Sequence, residues 1–429
     1  MKKSAVLVLA LSLLCCNLFA QGYTSYFTGD VTDVTTNHQT GVCLMGGATE
    51  NDDAMRWFLN RADGGDILVL RASGSDGYND YFYTELGLTI NSVETIVINN
   101  AEGAISPYVL TQIENAEAIW FAGGDQYNYV SYFKGTATQT VLNNFINVKQ
   151  ATIGGTSAGM AILGGHYFDA ENGTVTSQQA LTNPYNNRVS LGHSDFLEVP
   201  GLENIITDTH FNNPDRRGRH LAFLARIATD TGIKPFGIVC EEYVSVCIDE
   251  NNKAIVFGDA PGFFEYAYFT QPNCGVGYEP EICEPNTPIT WEQNNDAVRA
   301  FKVRGTNDGV PAMDLNNWEA VPGAGTWEHW TANTGNFDTN DGEDPMCFLL
   351  NVNEILEPSI SITPNPFSET FQLHNAEGAQ LHLFNITGKL MPLNEVNPNI
   401  YDGSQLPAGI YFVHLTNGVR KEVVRLIKK

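Results

Sequence analysis

An α/β fold, with a mostly parallel sheet flanked by helices and a small all-β sandwich behind it, is what the sequence predicts. Three observations carry that expectation. From Gly41 onward short apolar runs alternate with helical patterns, three of these runs lead into glycine pairs, and beyond Glu357 strands and turns alternate without helices. Apolar runs separated by helices read as parallel strands covered on both faces.

In chain order, Lys2 and Lys3 precede the apolar run "AVLVLALSLLCCNLFA", and small Ala20 stands before Gln21. This is the layout of a cleavable secretory signal over residues 1–20. No later stretch approaches about 18 apolar residues, so no transmembrane segment is expected. Removing 20 of 429 residues leaves 409, too many for one typical core, and two or more domains are expected. Without the two lysines the formal net charge moves from -26 to -28. Such acidity excludes nucleic acid as a partner, because its phosphates would be repelled, and suits a soluble exported protein. Six cysteines remain, and an oxidising compartment should pair some of them; Cys274 with Cys283, in a turn-rich segment, is the expected bridge. Their spacing is not that of a metal site, and no metal is expected.

The alternation begins with "GVCLMGGA", the helical "NDDAMRWFLNRA" and the strand-like "DILVLRAS". It continues through a helical stretch near Tyr81, "ETIVINN", the helical "YVLTQIENA" and "AIWFAGG". After a helix around "QTVLNNFINV" comes "ATIGG", opening into "TSAGMAILGG". The pairs Gly46/Gly47, Gly123/Gly124 and Gly154/Gly155 each sit at a predicted strand end, so three loops could converge on the carboxyl edge where functional groups collect. Residues 21–356 form the larger predicted domain, with a loop-rich elaboration over about 270–345 that includes a strand at "AFKVRG". Trp291, Trp318, Trp327 and Trp330 in that elaboration suggest a second reading of the chain, a non-catalytic surface protein that binds a partner through aromatic loops. Residues 357–429 form the β domain, whose six basic and six acidic residues leave all the acidity in the larger module.

Gly155-Thr156-Ser157-Ala158-Gly159 fits GxSxG, where a tight strand-to-helix turn exposes a hydroxyl and glycines relieve crowding. In a chain with 40 glycines the pattern has limited specificity, so the partners decide. A serine nucleophile needs a base, a group to orient that base, and donors for the oxyanion. His210 closes the apolar run "NIITDTH", with His193 the competitor; His166 is close enough in sequence that the helix after Ser157 should carry it away. Glu241 and Glu242 follow the predicted strand "PFGIVC". The order Ser157, His210, Glu242, with 53 residues between the first two, disfavours the α/β-hydrolases, whose carboxylate lies between serine and histidine.

"LMGGA" (44–48), "AIWFAGGDQ" (118–126), "GGTSAGMAILGG" (154–165) and "DTHFNNPDRRGRHLAFL" (208–224) together resemble the cyanophycinase and peptidase E family of serine peptidases, over roughly residues 40–260. That resemblance implies a class I glutamine amidotransferase-like fold and hydrolysis of peptide bonds near aspartate, including the β-aspartyl-arginine units of cyanophycin, with no cofactor. It implies Ser157 as nucleophile, His210 as base and Glu242 as acid, Gly124 and Ala158 as oxyanion donors, and Gln126 as a pocket residue. Arg216, Arg217 and Arg219 could hold an aspartyl carboxylate by bidentate bonds. The implied substrate is a peptide or a cyanophycin-like polymer.

The tail carries its own resemblance. "TPNPF", "LHLFNITGKLM", "LPAGIYFVHL" and the basic end "RKEVVRLIKK", in that order, resemble the C-terminal sorting domain of type IX secretion substrates. This implies a partner in the outer-membrane secretion machinery and a secreted or cell-surface location, reached through the periplasm of a Gram-negative bacterium.

Overall fold

The computed structural model describes residues 22–273, 277–343, 361–374, 380–386, 389–417 and 420–429. The expected signal (1–20) and the expected domain boundary at 357 lie outside the described residues. The chain divides into two units, Met1–Pro345 and Met346–Lys429.

In the first unit the chain builds one sheet, moves to a second, and then alternates between them. β1 (Tyr23–Gly29), β2 (Val42–Met45), β3 (Asp66–Arg71), β4 (Ser92–Ile98), β5 (Ala118–Phe121) and β6 (Thr152–Thr156) begin the first sheet. β7 (His166–Phe168), β8 (Leu191–His193), β9 (Ile205–Asp208) and β10 (Phe236–Cys240) begin the second. β11 (Ser245–Ile248) and β12 (Lys253–Phe257) return to the first sheet, β13 (Tyr266–Pro272) and β14 (Val298–Arg304) to the second. β15 (Val310–Asp314) and β16 (Glu319–Ala320) finish the first sheet, β17 (Thr326–Asn333) and β18 (Asn336–Asp341) the second.

The orders are β1-β4-β3-β5-β6-β2-β11-β12-β15-β16 and β18-β17-β14-β13-β10-β9-β7-β8. The run β4-β3-β5-β6-β2 is parallel, as are β10-β9 and β9-β7, and antiparallel strands extend the edges. The parallel centre follows from composition. β4 is buried along its whole length and β3 at its four central residues, which requires cover on both faces. Helix Asp52–Asn60 packs on β2 and β11, Pro107–Asn115 on β3, and Arg217–Thr231 on β9 and β17. The first of these is started by Asn51, whose side chain accepts from the Asp53 and Ala54 amides. The last ends at Gly232, with φ 67, a left-handed position that suits glycine.

The segment expected to be loop-rich contributes strands β14 to β18, which complete both sheets. Its tryptophans are packing residues. Trp291 and Trp330 are fully buried, Trp318 stacks on Phe236 with centroids 4.3 Å apart, and Trp327 packs on Phe301 at 4.9 Å. Trp318 and Trp327 stay half-buried, so the aromatic surface behind the binding-protein reading is reduced to parts of these two. Cys283 is buried, and Cys274, its expected bridge partner, lies outside the described residues.

The second unit has two four-stranded antiparallel sheets. One contains Ser361–Thr363, Thr370–His374, Ile400–Asp402 and Asn394–Asn397; the other contains Leu390–Met391, Gln380–Asn385, Gly409–Asn417 and Arg420–Lys428. Ile362 and Phe371 from one, and Leu383, Val413 and Leu426 from the other, share one core. That is sandwich packing, in which alternate residues of each strand face inward.

Candidate active site

Four strand ends meet at the site. Ser157 follows β6, His210 stands two residues beyond β9, Glu242 two beyond β10, and Gly46 and Gly47 follow β2. The three carbonyls at the tip of β2 hold the others in place. Met45 O accepts from the Ser157 amide at 3.0 Å, Gly46 O from the His210 amide at 2.9 Å, and Gly47 O from the Tyr243 amide at 3.1 Å. Ser157, His210 and Tyr243 all have left-handed backbones, with φ of 52, 46 and 63. Such conformations cost about 1–3 kcal/mol each in non-glycine residues and gather where function needs a fixed geometry.

Glycines make the close approaches possible. A Cβ on Gly159 would lie 2.1 Å from Phe121 O, and one on Gly47 would lie 2.3 Å from the His210 ring. Gly154 and Gly155 lie inside β6 rather than after it, so of the three pairs only Gly46/Gly47 and Gly123/Gly124 form strand-end loops.

Ser157 Oγ is 2.8 Å from His210 Nε2, and His210 Nδ1 is 2.7 Å from Glu242 Oε1. A carboxylate only accepts, so Nδ1–H donates to Glu242 and Nε2 is left to accept from the Ser157 hydroxyl. Glu242 is itself held: its amide donates to Asn212 Oδ1 at 3.3 Å, and Asn213 Nδ2 lies 3.4 Å from both carboxylate oxygens. The neighbouring Glu241 faces elsewhere. It accepts from the Tyr266 amide at 2.9 Å and the Tyr268 hydroxyl at 3.0 Å, and burial pushes its carboxyl up to about 7.

Ser157 and His210 open on a cleft of about 420 Å³ whose lining includes Gly124, Gln126, Ala158, Arg216 and Arg219. Gly124 has φ 148, and Gly123 passes close to the Ser157 side chain, since a Cβ there would lie 3.5 Å from Ser157 Cβ. Gln126 opens the helix Gln126–Phe133, which Asp125 caps through the Tyr127 amide, and its Nε2 donates to Phe168 O at 3.4 Å.

The three arginines part company. Arg219 is buried, with its Nε 3.0 Å from Asp208 Oδ2 and Nη2 bonded to Asp208 Oδ1, so its charge is already matched. Arg217 grips Asp215 and lines a different cavity, of about 280 Å³, with Glu241, Tyr268 and Lys302. Arg216 is half-buried and donates to Thr209 O at 2.9 Å, with no carboxylate within ion-pair distance among the described residues. Burial and the nearby Arg219 lower it to about 10, against Asp208 and Glu242, so it stays charged at neutral pH.

His166 and His193 are absent from the cleft lining. The helix after Ser157 is one turn, Ala158–Ala161, and β7 rather than the helix places His166, whose Nδ1 lies 3.0 Å from His193 Nδ1. Two features escaped the sequence reading. The Asp208–Arg219 pair has a visible trace in an acidic residue ending an apolar strand, and the Met45–Gly47 clamp has one in "LMGG".

Residues 361–429 match the model for the secretion system C-terminal sorting domain, which directs chains to export or the cell surface. The chain is similar to a cyanophycinase of Trichormus variabilis, 25% identical over 206 residues that make up 46% of this chain and 64% of the relative. A cyanophycinase of Geminocystis herdmanii is 28% identical over 156 residues, 35% of this chain and 53% of its own. Matches to these relatives thus span less than two thirds of their length. A solved peptidase from an acI-B1 Actinobacterium aligns with 52% of this chain and 89% of its own at 15% identity and a TM-score of 0.37. The chain is thus similar to cyanophycinases over part of their length and carries a C-terminal sorting domain of a secretion system.

Proposed function

We propose that this chain is a secreted serine-type peptidase that hydrolyses aspartyl bonds, β-aspartyl-arginine among them, through an acyl-enzyme. The observation that carries this reading is the unbroken relay from Ser157 Oγ through both His210 nitrogens to Glu242, at 2.8 and 2.7 Å. His210 Nε2 takes the hydroxyl proton as Oγ attacks the substrate carbonyl. Glu242 holds the imidazole in the required tautomer and stabilises the imidazolium. The amides of Gly124 and Ala158 receive the oxyanion, a term worth about 2.7–4 kcal/mol per donor in other hydrolases. His210 then protonates the leaving amine, and water repeats the sequence on the acyl-enzyme.

The substrate side rests on Arg216. It is the cleft arginine free to make a bidentate bond to an aspartyl carboxylate, while Arg219, neutralised by Asp208, positions the wall behind it and Gln126 borders the same space. A peptide or a cyanophycin-like polymer supplies such a carboxylate. The sorting domain supports delivery by the type IX machinery after a signal-directed passage through the periplasm of a Gram-negative bacterium.

Ser157→Ala tests the mechanism. It should abolish labelling by an organophosphorus probe and turnover of β-aspartyl-arginine, whereas unchanged turnover overturns it.

A further inference from the structure

Cys43 in β2 and Cys247 in β11 face each other in the antiparallel register of the two strands. Both are fully buried, and their sulfurs are 3.6 Å apart. The phase of the ladder decides what such a pair can do. The Gly46 amide donates to Val244 O at 2.9 Å, which marks Gly46 and Val244 as a hydrogen-bonded pair. Antiparallel pairs alternate between bonded and non-bonded positions, so three residues further along Cys43 and Cys247 occupy a non-bonded one. There the Cα atoms approach to about 4.5 Å and the side chains are closest. That lies inside the Cα separation of about 4.4–6.8 Å that a disulfide spans.

We infer that Cys43 and Cys247 form a cross-strand disulfide in the exported protein. The oxidising setting rests on the sorting domain, since disulfides form and persist in exported proteins. The oxidant is a disulfide-exchange protein of the export compartment. One Cys thiolate attacks its disulfide and releases one thiol; the second Cys then attacks the mixed disulfide and releases the other. The S–S bond formed in this chain replaces the S–S bond broken in the donor, which leaves as a dithiol. Because both sulfurs are sealed in the folded unit, the exchange precedes the closing of the core over them.

The bond joins residues 204 apart in sequence, and β2 runs straight from Cys43 into the Met45–Gly47 clamp. It therefore staples the strand that positions the nucleophile and the base to the strand that follows the acid. Cys240 is the nearby alternative, with its thiol donating to Leu44 O at 3.7 Å.

The test is peptide mapping of the full chain exported to an oxidising compartment, alkylated with N-ethylmaleimide in denaturant before any reductant is added. The Cys43 and Cys247 peptides should appear joined, separate on reduction, and leave no joined species in Cys247→Ser. Reduction should also lower the Tm of the wild-type protein by several degrees. Both thiols found alkylated without reduction, or either joined to another cysteine, would overturn the inference. The wild-type map decides the matter even where the variant fails to fold, and it does not depend on peptidase activity.

Discussion

Asp208→Asn removes one charge from the sealed ion pair two residues before His210. The side chains of Arg219 and Asp208 are 4% and 3% exposed, and the Nε–Oδ2 separation is 3.0 Å. At that distance and an effective dielectric of about 20 the attraction is about 5.5 kcal/mol. Asparagine keeps the shape but leaves the guanidinium without a counter-charge, and breaking a buried pair from one side costs about 3–5 kcal/mol. Burial by itself would raise the Asp208 carboxyl, but Arg219 outweighs it and holds the group below its usual value of 3.8. A carboxylate depressed in the folded state adds stability above its unfolded value, and that stability is lost as pH falls through the folded one. Wild type should therefore lose stability below about pH 4, and the variant should lack that step. The assay is urea unfolding at neutral pH followed by tryptophan fluorescence. Asp208→Asn should cost about 3–5 kcal/mol, and Asp208→Asn with Arg219→Met should recover much of it, because no unpaired charge remains. A single variant within about 0.5 kcal/mol of wild type, or a double variant as weak as the sum of the singles, would refute the reasoning.

Arg216→Met should raise KM for a substrate with a free aspartyl carboxylate by about 10- to 100-fold, the worth of a charge-assisted bond of roughly 1.5–3 kcal/mol, and leave its amide analogue nearly unaffected. Equal losses on both substrates would remove Arg216 from recognition. Gly47→Ala drives a methyl into the His210 ring, which should cut kcat by about 100-fold through misplacement of the base, with probe labelling slowed in step; full activity would mean the ring is free to move. Glu241, raised from 4.5 to about 7 by burial, is protonated more readily in the folded chain than in the unfolded one. Its contribution to stability is complete below about pH 4.5 and declines as pH rises to about 7, and Glu241→Gln should flatten that slope in thermal melts across the window.

The grouping of Ser157, His210 and Glu242 was legible because each stands within two residues of the end of a short apolar strand, and strand ends of an α/β sheet gather at one edge. Choosing between Glu241 and Glu242 needed more than periodicity, since adjacent residues point to opposite sides of the chain and only the observed bonds show which one meets the imidazole. The arginines were opaque for a related reason. Composition reveals a cation but not its counter-charge, and Asp208 and Asp215 engage two of the three. Likewise the Asn-, Gly- and Pro-rich stretch after 270 read as loops because turn residues outnumber the short alternating runs between them. Their buried faces, Trp330 and Val298 among them, become visible only when the strands pair side by side in one sheet.

The amides of the nucleophile, the base and the residue after the acid all hang from three consecutive carbonyls, Met45, Gly46 and Gly47. A common mount converts disturbances of the surrounding sheets into a shared displacement, which leaves the internal distances of the relay unchanged. Drift of β6, β9 or β10 is thus filtered out, while any alteration within the mount itself acts differentially on its three loads. Robustness and fragility are in this way separated along the chain: wide latitude in the strands, almost none in a tripeptide that stands outside the cleft lining.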